Sequence, residues 1–338
     1  MTRIDRVAVI GAGSWGTAIA RLLARQGHDT TLWALEPEVV ESISARRENE
    51  WYLSGITLPR ELQVTDDLDA ALAGADLVVS AVPTQHVREV FSGLDGSWRA
   101  DATVVSVSKG IEVDTLRTPT EVLSEVLPVG VRAGVVALSG PSFAREVAVD
   151  LPTAVVAASR SIDNARVVRD VFSTGVFRVY SSDDIVSVEL AGALKNVVAL
   201  AAGMSFGLGF AQNSMAGLIT RGLAEIARVG VARGGNPLTF AGLSGMGDLV
   251  LTCTGELSRN RTVGFEVGRG RALDDVLAEM RMVAEGVKTT VAARRLAAEL
   301  GVEVPVAEQV YLTLYEGKDP NEAVAELMGR ALRDERDA

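Results

Sequence analysis

Of the 33 basic residues in this 338-residue chain, four are lysine: Lys109, Lys195, Lys288 and Lys318. The rest are arginine, which stays protonated at any working pH. A lysine can exchange a proton once burial or a neighbouring cation lowers its pKa. Lys195 stands mid-helix in Leu190-Ala-Gly-Ala-Leu-Lys195-Asn196-Val-Val, with no opposite charge three or four residues away. An ammonium there is costly unless it lines a polar cleft, so Lys195 reads as a proton carrier rather than a side chain reaching for water. Lys109 closes a strand in Val107-Ser-Lys109-Gly-Ile-Glu112. Open α/β sheets bind ligands at such strand ends, which favours a functional Lys109 over a solvated loop residue. Lys288 and Lys318 fall in solvated settings. A third cluster runs from Gly245 to Arg261: a Gly-rich loop, Asp248, several hydroxyls, then Ser258-Arg259-Asn260 at a helix start. Ser258 as N-cap, the first-turn N–H groups and the Arg259 fork together make an anion site.

Near the N-terminus, Gly11-Ala-Gly13-Ser14-Trp15-Gly16 follows a short apolar strand and opens a helix. This is G-x-G-x-x-G in the context a dinucleotide site requires. Gly11 permits the tight turn, Gly13 lets the backbone approach a pyrophosphate, and Gly16 allows close helix–strand packing. Glu36 lies 20 residues after Gly16, where an acidic residue meets a ribose 2′-OH. It stands equally well as a cap for the helix that begins at Pro37. No Arg lies between Thr30 and Ile43 to meet a 2′-phosphate, which leans towards NAD over NADP.

Other chemistries are excluded by count. One Cys and two His cannot build a structural zinc site, and no intramolecular disulfide is possible. No Tyr has a Lys four residues on. His28 and His86 read as surface residues and Cys253 as a packing residue. The net charge of −11 argues against nucleic acid and anionic membranes as partners. The charged start, residues 1–5, does not read as a signal peptide. The longest charge-free stretch, 196–220, carries Asn196, Ser205, Gln212, Asn213, Ser214 and four Gly, so it reads as a buried helix pair rather than a membrane span, serving either as core or as a dimer interface.

The elements that must position these residues fall into two halves. Apolar, β-branched runs at 7–10, 30–33, 77–80, 103–107, 135–138 and 154–157 alternate with helical segments, which predicts parallel strands buried on both faces in βαβ units. After residue 182 the period turns helical, at 185–206, 211–233, 258–268, 272–281, 286–299, 304–315 and 320–332. The expected fold is α/β: an N-terminal Rossmann-type doubly wound sheet, residues 1–182, binding the dinucleotide, followed by an all-α C-terminal domain, residues 183–338, for substrate and catalysis.

The strings Gly11-Ala-Gly-Ser-Trp-Gly-Thr-Ala, Ser108-Lys-Gly-Ile-Glu, Leu138-Ser-Gly-Pro-Ser-Phe-Ala-Arg-Glu, Glu189-Leu-Ala-Gly-Ala-Leu-Lys-Asn, Gly247-Asp-Leu-Val-Leu-Thr-Cys-Thr and Ser258-Arg-Asn-Arg resemble the bacterial NAD(P)-dependent sn-glycerol-3-phosphate dehydrogenases. The matches run in order from residue 7 to about 290. The resemblance implies reversible reduction of dihydroxyacetone phosphate to sn-glycerol 3-phosphate, entry to glycerophospholipid synthesis, a cytoplasmic location and a homodimer. By position it implies Lys195 as proton donor and acceptor. Lys109, Gly140, Ser142, Asp248, Ser258, Arg259 and Asn260 would bind substrate, with Asn196 and Thr252 as further contacts. Ser14, Trp15, Lys109, Ala144, Arg259, Val283 and Glu285 would contact the cofactor. Ala144, Val283 and Glu285 rest on the resemblance alone. In the implied mechanism Asp248 orients Lys195, and Lys109 steadies the substrate oxygens. The family commonly carries an Arg after the second strand, where this chain has Ala34-Leu35-Glu36; that departure favours NAD. A β-hydroxyacid dehydrogenase or an opine-type reductase is the alternative enzyme, and a cofactor-sensing protein without catalysis the alternative of another class.

Overall fold

The computed structural model describes residues 4–94, 98–132, 134–332 and 334–335; the first three and last three residues lie outside them. The chain divides into two compact units. One comprises Met1–Lys109 and Arg117–Ile185, the other Gly110–Leu116 and Val186–Ala338.

The first unit is built on one eight-stranded sheet. Its strands are β1 (Arg6–Ile10), β2 (Asp29–Trp33), β3 (Gln63–Thr65), β4 (Leu77–Ser80), β5 (Thr103–Ser106), β6 (Val135–Ser139), β7 (Thr153–Ala158) and β8 (Phe177–Ser182), in the order β3-β2-β1-β4-β5-β6-β7-β8. Alternation along a strand sends its side chains into two cores, one on each face. Val7 and Val9 of β1 enter one cluster and Ala8 and Ile10 the other; Val79 and Val105 oppose Val78 and Val104 in the same way. The order reverses between β1 and β4, and such a switch point opens a crevice at the strand C-termini. The fingerprint leaves the C-terminal end of β1 and Lys109 follows β5.

Three features of the sheet differ from the sequence expectation. Strand β7 pairs antiparallel with β6, whereas every other pair is parallel. The five-residue helix Ala144–Ala148 between them packs on helix Ser14–Arg25. Strands β3 and β8 are additional. β3 has three residues and none buried. β8 alternates buried Phe177 and Val179 with exposed Arg178 and Tyr180, the signature of an edge strand rather than of a continuous apolar run.

The second unit is helical, with one principal core. Its central helix, Ile185–Gly207, is long and apolar enough to cross a membrane, yet 89% of its most apolar window is buried against protein. Helix Arg259–Gly268 lies backbone to backbone against it. A Cβ on Gly203 would stand 2.1 Å from the Arg261 carbonyl oxygen, and one on Gly264 2.0 Å from that of Leu200. The first part of the charge-free stretch is therefore core, while residues 208–218 are mostly open to solvent. Ile111 and Leu116, from the short segment Gly110–Leu116, join this helical core. Helix Glu285–Leu300 completes the set that carries candidate residues. The Gly-rich segment expected as a loop is instead coiled: Leu243–Gly247 forms a wide π-type turn that runs directly into helix Asp248–Thr254.

Candidate active site

In the first unit the glycines fulfil three different demands. Gly11 has φ +110°, and a Cβ there would approach the Ala81 carbonyl oxygen to 2.8 Å. A Cβ on Gly16 would stand 1.9 Å from the Gly11 carbonyl oxygen, so only glycine lets helix Ser14–Arg25 start against the turn. At Gly13 a Cβ would meet nothing within 4 Å. That open approach beside a helix N-terminus with no side-chain cap fits a pyrophosphate. The buried Trp15 Nε1 has no hydrogen-bond partner among the described residues. Trp15 and Ala144 pack on one small cluster with Ala18, Leu53 and Ile56, which brings Ala144 to the fingerprint.

Of the two roles weighed for Glu36, the structure bears on the cap. Glu36 occupies the N-cap position of helix Pro37–Arg46 without making a side-chain capping bond. Its carboxylate instead accepts a hydrogen bond from the Tyr52 hydroxyl, 2.9 Å away. The loop that supplies Tyr52 is tied to the fingerprint. Ser14 Oγ donates to the Tyr52 carbonyl at 2.6 Å. Fully buried Asn49 donates to the Ala12 carbonyl and to Thr17 Oγ1. Past β5 and β6, Lys109 Nζ and Ser142 Oγ both donate to the Gly140 carbonyl, at 2.9 and 3.0 Å. Gly140 has φ +141°, and its missing Cβ would stand 2.9 Å from Val155 Cα.

In the second unit, Lys195 is 5% exposed and Asp248 2%. Lys195 Nζ donates to Thr252 Oγ1 at 2.7 Å and stands 3.3 Å from Asp248 Oδ1. Asp248 and Thr252 are one helical turn apart and face the same way. Thr252 Oγ1 also lies within hydrogen-bonding distance of the Asp248 carbonyl, at 2.6 Å. The lysine that looked isolated on its own helix is thus paired from another. Cys253, beside this pair, is fully buried, and burial pushes its thiol up to about 12, which leaves it an unreactive packing group.

A second chain of hydrogen bonds joins three helices. Asn260 Nδ2 donates to Asn196 Oδ1, and the Gly286 N–H donates to Asn260 Oδ1, both at 2.9 Å. Asn260 is 8% exposed, and both ends of its side-chain amide are engaged within the protein. Ser258 Oγ accepts from the Arg261 N–H at 3.3 Å, so it caps helix Arg259–Gly268. Arg259 is exposed at the surface, while crowding by protein atoms lowers its pKa from the ordinary arginine value and the Glu285 carboxylate opposes the shift. Glu285 begins the last of these helices, and Val283, just before it, is half exposed.

Sequence reasoning missed Asn49, Tyr52 and Gly286. A Cβ on Gly286 would meet the Asn196 carbonyl oxygen at 2.7 Å and Asn260 Oδ1 at 2.8 Å. Nothing local marks Asn49 or Tyr52. The only trace of Gly286 is its place at a helix start.

A doubly wound sheet with a fitted dinucleotide fingerprint, joined in sequence to a helical unit that buries a paired lysine, defines a nicotinamide-dependent dehydrogenase, an oxidoreductase. Residues 6–165 match the N-terminal domain of NAD-dependent glycerol-3-phosphate dehydrogenase, and residues 184–325 match its C-terminal domain. The chain belongs to this family. A relative from Citrifermentans bemidjiense, a glycerol-3-phosphate dehydrogenase [NAD(P)+], is 56% identical over 98% of this chain and 99% of its own. The crystal structure of the glycerol-3-phosphate dehydrogenase from Coxiella burnetii superposes with TM-score 0.91 at 37% identity, covering 97% of this chain and 99% of that one. The glycerol-3-phosphate dehydrogenase of Saccharomyces cerevisiae gives TM-score 0.81 at 28% identity, covering 97% and 100%.

Proposed function

We propose that the chain catalyses the reversible NAD(P)H-dependent reduction of dihydroxyacetone phosphate to sn-glycerol 3-phosphate, with residues 1–182 binding the dinucleotide and residues 183–338 the substrate. The observation that carries the reading is Lys195, an ammonium buried among apolar residues yet held by Thr252 and Asp248. A charge is kept out of water at such cost when it has a proton to deliver.

The bound nicotinamide supplies the hydride. Lys195 Nζ donates a proton to the substrate C2 oxygen as charge develops there; in reverse, the neutral amine takes the hydroxyl proton. Asp248 and Thr252 fix Nζ in place and balance its charge before transfer. Lys109 offers a second cation to the substrate oxygens, with Gly140 and Ser142 shaping its surroundings. Arg259 and the N-terminal turn of its helix hold the phosphate, Ser258 caps that helix, and Asn196 and Asn260 brace it. Gly11, Gly13, Ser14, Trp15 and Gly16 take the pyrophosphate, and Glu36 the adenosine ribose. Ala144, Val283 and Glu285 line the rest of the cofactor path. The missing Arg after β2 supports NAD over NADP. We further assign a cytoplasmic homodimer at the entry to glycerophospholipid synthesis.

The test is oxidation of NADH followed at 340 nm with dihydroxyacetone phosphate, in wild type and Lys195→Met. Loss of a positioned acid lowers kcat by about 10³-fold with cofactor affinity unchanged. Near-wild-type turnover in the variant refutes the role of Lys195. Oxidation of 3-hydroxy acids without activity on glycerol 3-phosphate refutes the substrate.

A further inference from the structure

We infer that Tyr52 is a specificity-determining residue, which acts by holding Glu36 so that the dinucleotide site favours NAD(H) over its 2′-phosphorylated counterpart. The inference rests on the reading of Glu36 as the ribose acceptor and adds the residue that makes it selective.

Four observations converge on it. Glu36 stands just past the C-terminal end of β2, beside the glycine turn. The Tyr52 hydroxyl donates to Glu36 Oε1, which restrains the carboxylate and leaves Oε2 outside that bond. Tyr52 is itself held: its carbonyl accepts from Ser14 Oγ, and its N–H donates to Asn49 Oδ1 at 3.1 Å. Asn49 in turn grips Ala12 and Thr17 inside the fingerprint. The acceptor for the ribose and the turn for the pyrophosphate are thereby built as one hydrogen-bonded piece.

The same region holds its nearby cations elsewhere. Ala34 is buried and Leu35, beside Glu36, is 71% exposed, so the residues after β2 offer a 2′-phosphate no positive charge. Arg46 pairs with Glu50 at 2.7 Å, and Arg47 donates to the Pro59 and Leu62 carbonyls. A phosphate at the 2′ position would meet a fixed carboxylate with no counter-charge. A free 2′-OH can donate to that carboxylate. The discrimination comes from repulsion as much as from attraction, and it depends on Glu36 being unable to swing aside.

Tyr52→Phe keeps the ring in its apolar surroundings, and keeps the backbone ties to Ser14 and Asn49, while removing the one hydroxyl. The experiment titrates NADH and NADPH into wild type, Tyr52→Phe, Glu36→Gln and the double variant without substrate, following nicotinamide fluorescence. It then measures kcat/KM with each cofactor. Wild type prefers NADH. Tyr52→Phe reduces the NADH/NADPH affinity ratio by about five- to tenfold, the scale of one net hydrogen bond. In Glu36→Gln the further change Tyr52→Phe leaves the ratio unaltered, because Tyr52 acts through that carboxylate. A Tyr52→Phe variant that binds both cofactors less tightly by the same factor overturns the assignment, since that is the mark of a merely structural residue. So does an additive double variant. A wild type that prefers NADPH overturns the reading of Glu36 itself, and the two failures are thus told apart.

Discussion

Glu225 offers a test of the helical unit that depends on no ligand. Its carboxyl is 5% exposed and accepts backbone hydrogen bonds from Val306 at 2.6 Å and Ala307 at 3.2 Å, the first turn of helix Pro305–Tyr315. Burial pushes its pKa up from 4.5 to about 7; the two N–H donors, Arg228 and Arg330 pull it back only in part. The folded state therefore binds a proton that the unfolded state releases between pH 4.5 and 7. Stability from this group is fully present below pH 4.5 and is lost as pH rises through 7. At 1.36 kcal/mol per pKa unit the whole loss is about 3 kcal/mol, at about 1 kcal/mol per pH unit in mid-window. Glu225→Gln removes the titration while retaining an acceptor for one of the two N–H groups. The assay is urea unfolding of wild type and Glu225→Gln at pH 5, 6, 7 and 8, with the difference between the two curves taken at each pH. Other carboxylates cancel in that difference. Wild type should lose about 2.5 kcal/mol relative to the variant across the series, since pH 5 already lies inside the window. Parallel stability curves would show that Glu225 does not titrate near pH 7, and with that the argument from its burial fails.

Two further substitutions probe the backbone and the polar core. Gly16→Ala places a Cβ 1.9 Å from a carbonyl oxygen that cannot move without opening the turn; NADH affinity should fall by at least tenfold on titration, at a stability cost of about 1–3 kcal/mol. Asn260→Ala leaves the Gly286 N–H and Asn196 Oδ1 buried without that partner and should destabilise by about 2–4 kcal/mol in urea unfolding; unchanged stability would remove Asn260 from the network.

The parts of the site legible in the sequence are those whose physics is local. The three glycines act through backbone geometry at fixed offsets, so their roles follow from spacing: a Cβ on Gly11 or Gly16 would strike a carbonyl oxygen, and one on Gly13 would stand in open space. The capping of helix Arg259–Gly268 by Ser258 is local in the same sense. Tyr52 and Asn49 are different. Their partners Glu36 and Ala12 lie 16 and 37 residues away, and no pattern in the loop encodes that approach. The same limit hid the sheet edges. β8 buries one face only, and the antiparallel turn at β7 depends on where a five-residue helix docks rather than on the composition of the strand. Segment Gly110–Leu116 joins the helical core through Ile111 and Leu116, which any division by sequence position alone would miss.

Lys195 marks the boundary between the two kinds of knowledge. An uncompensated ammonium in an apolar helix is an energetic contradiction, so the residues alone demand a partner; the family resemblance points to Asp248, and nothing in the sequence points to the Thr252 hydroxyl as its hydrogen-bond acceptor. The partners are Asp248 and Thr252, far along the chain but spaced four residues apart. That spacing puts an acid and a hydroxyl on one helix face, yet it carries this meaning only if residues 248–254 are helical. Reading Gly245 to Gly247 as a loop hid the register. The glycines do not break the helix; the π-type turn absorbs them and delivers Asp248 into the first turn of the helix that follows. Replacing such a pair with apolar residues of similar volume would be expected to be neutral or stabilising. Stability is thus a poor reason for keeping Lys195 charged and buried, and proton transfer is a sufficient one.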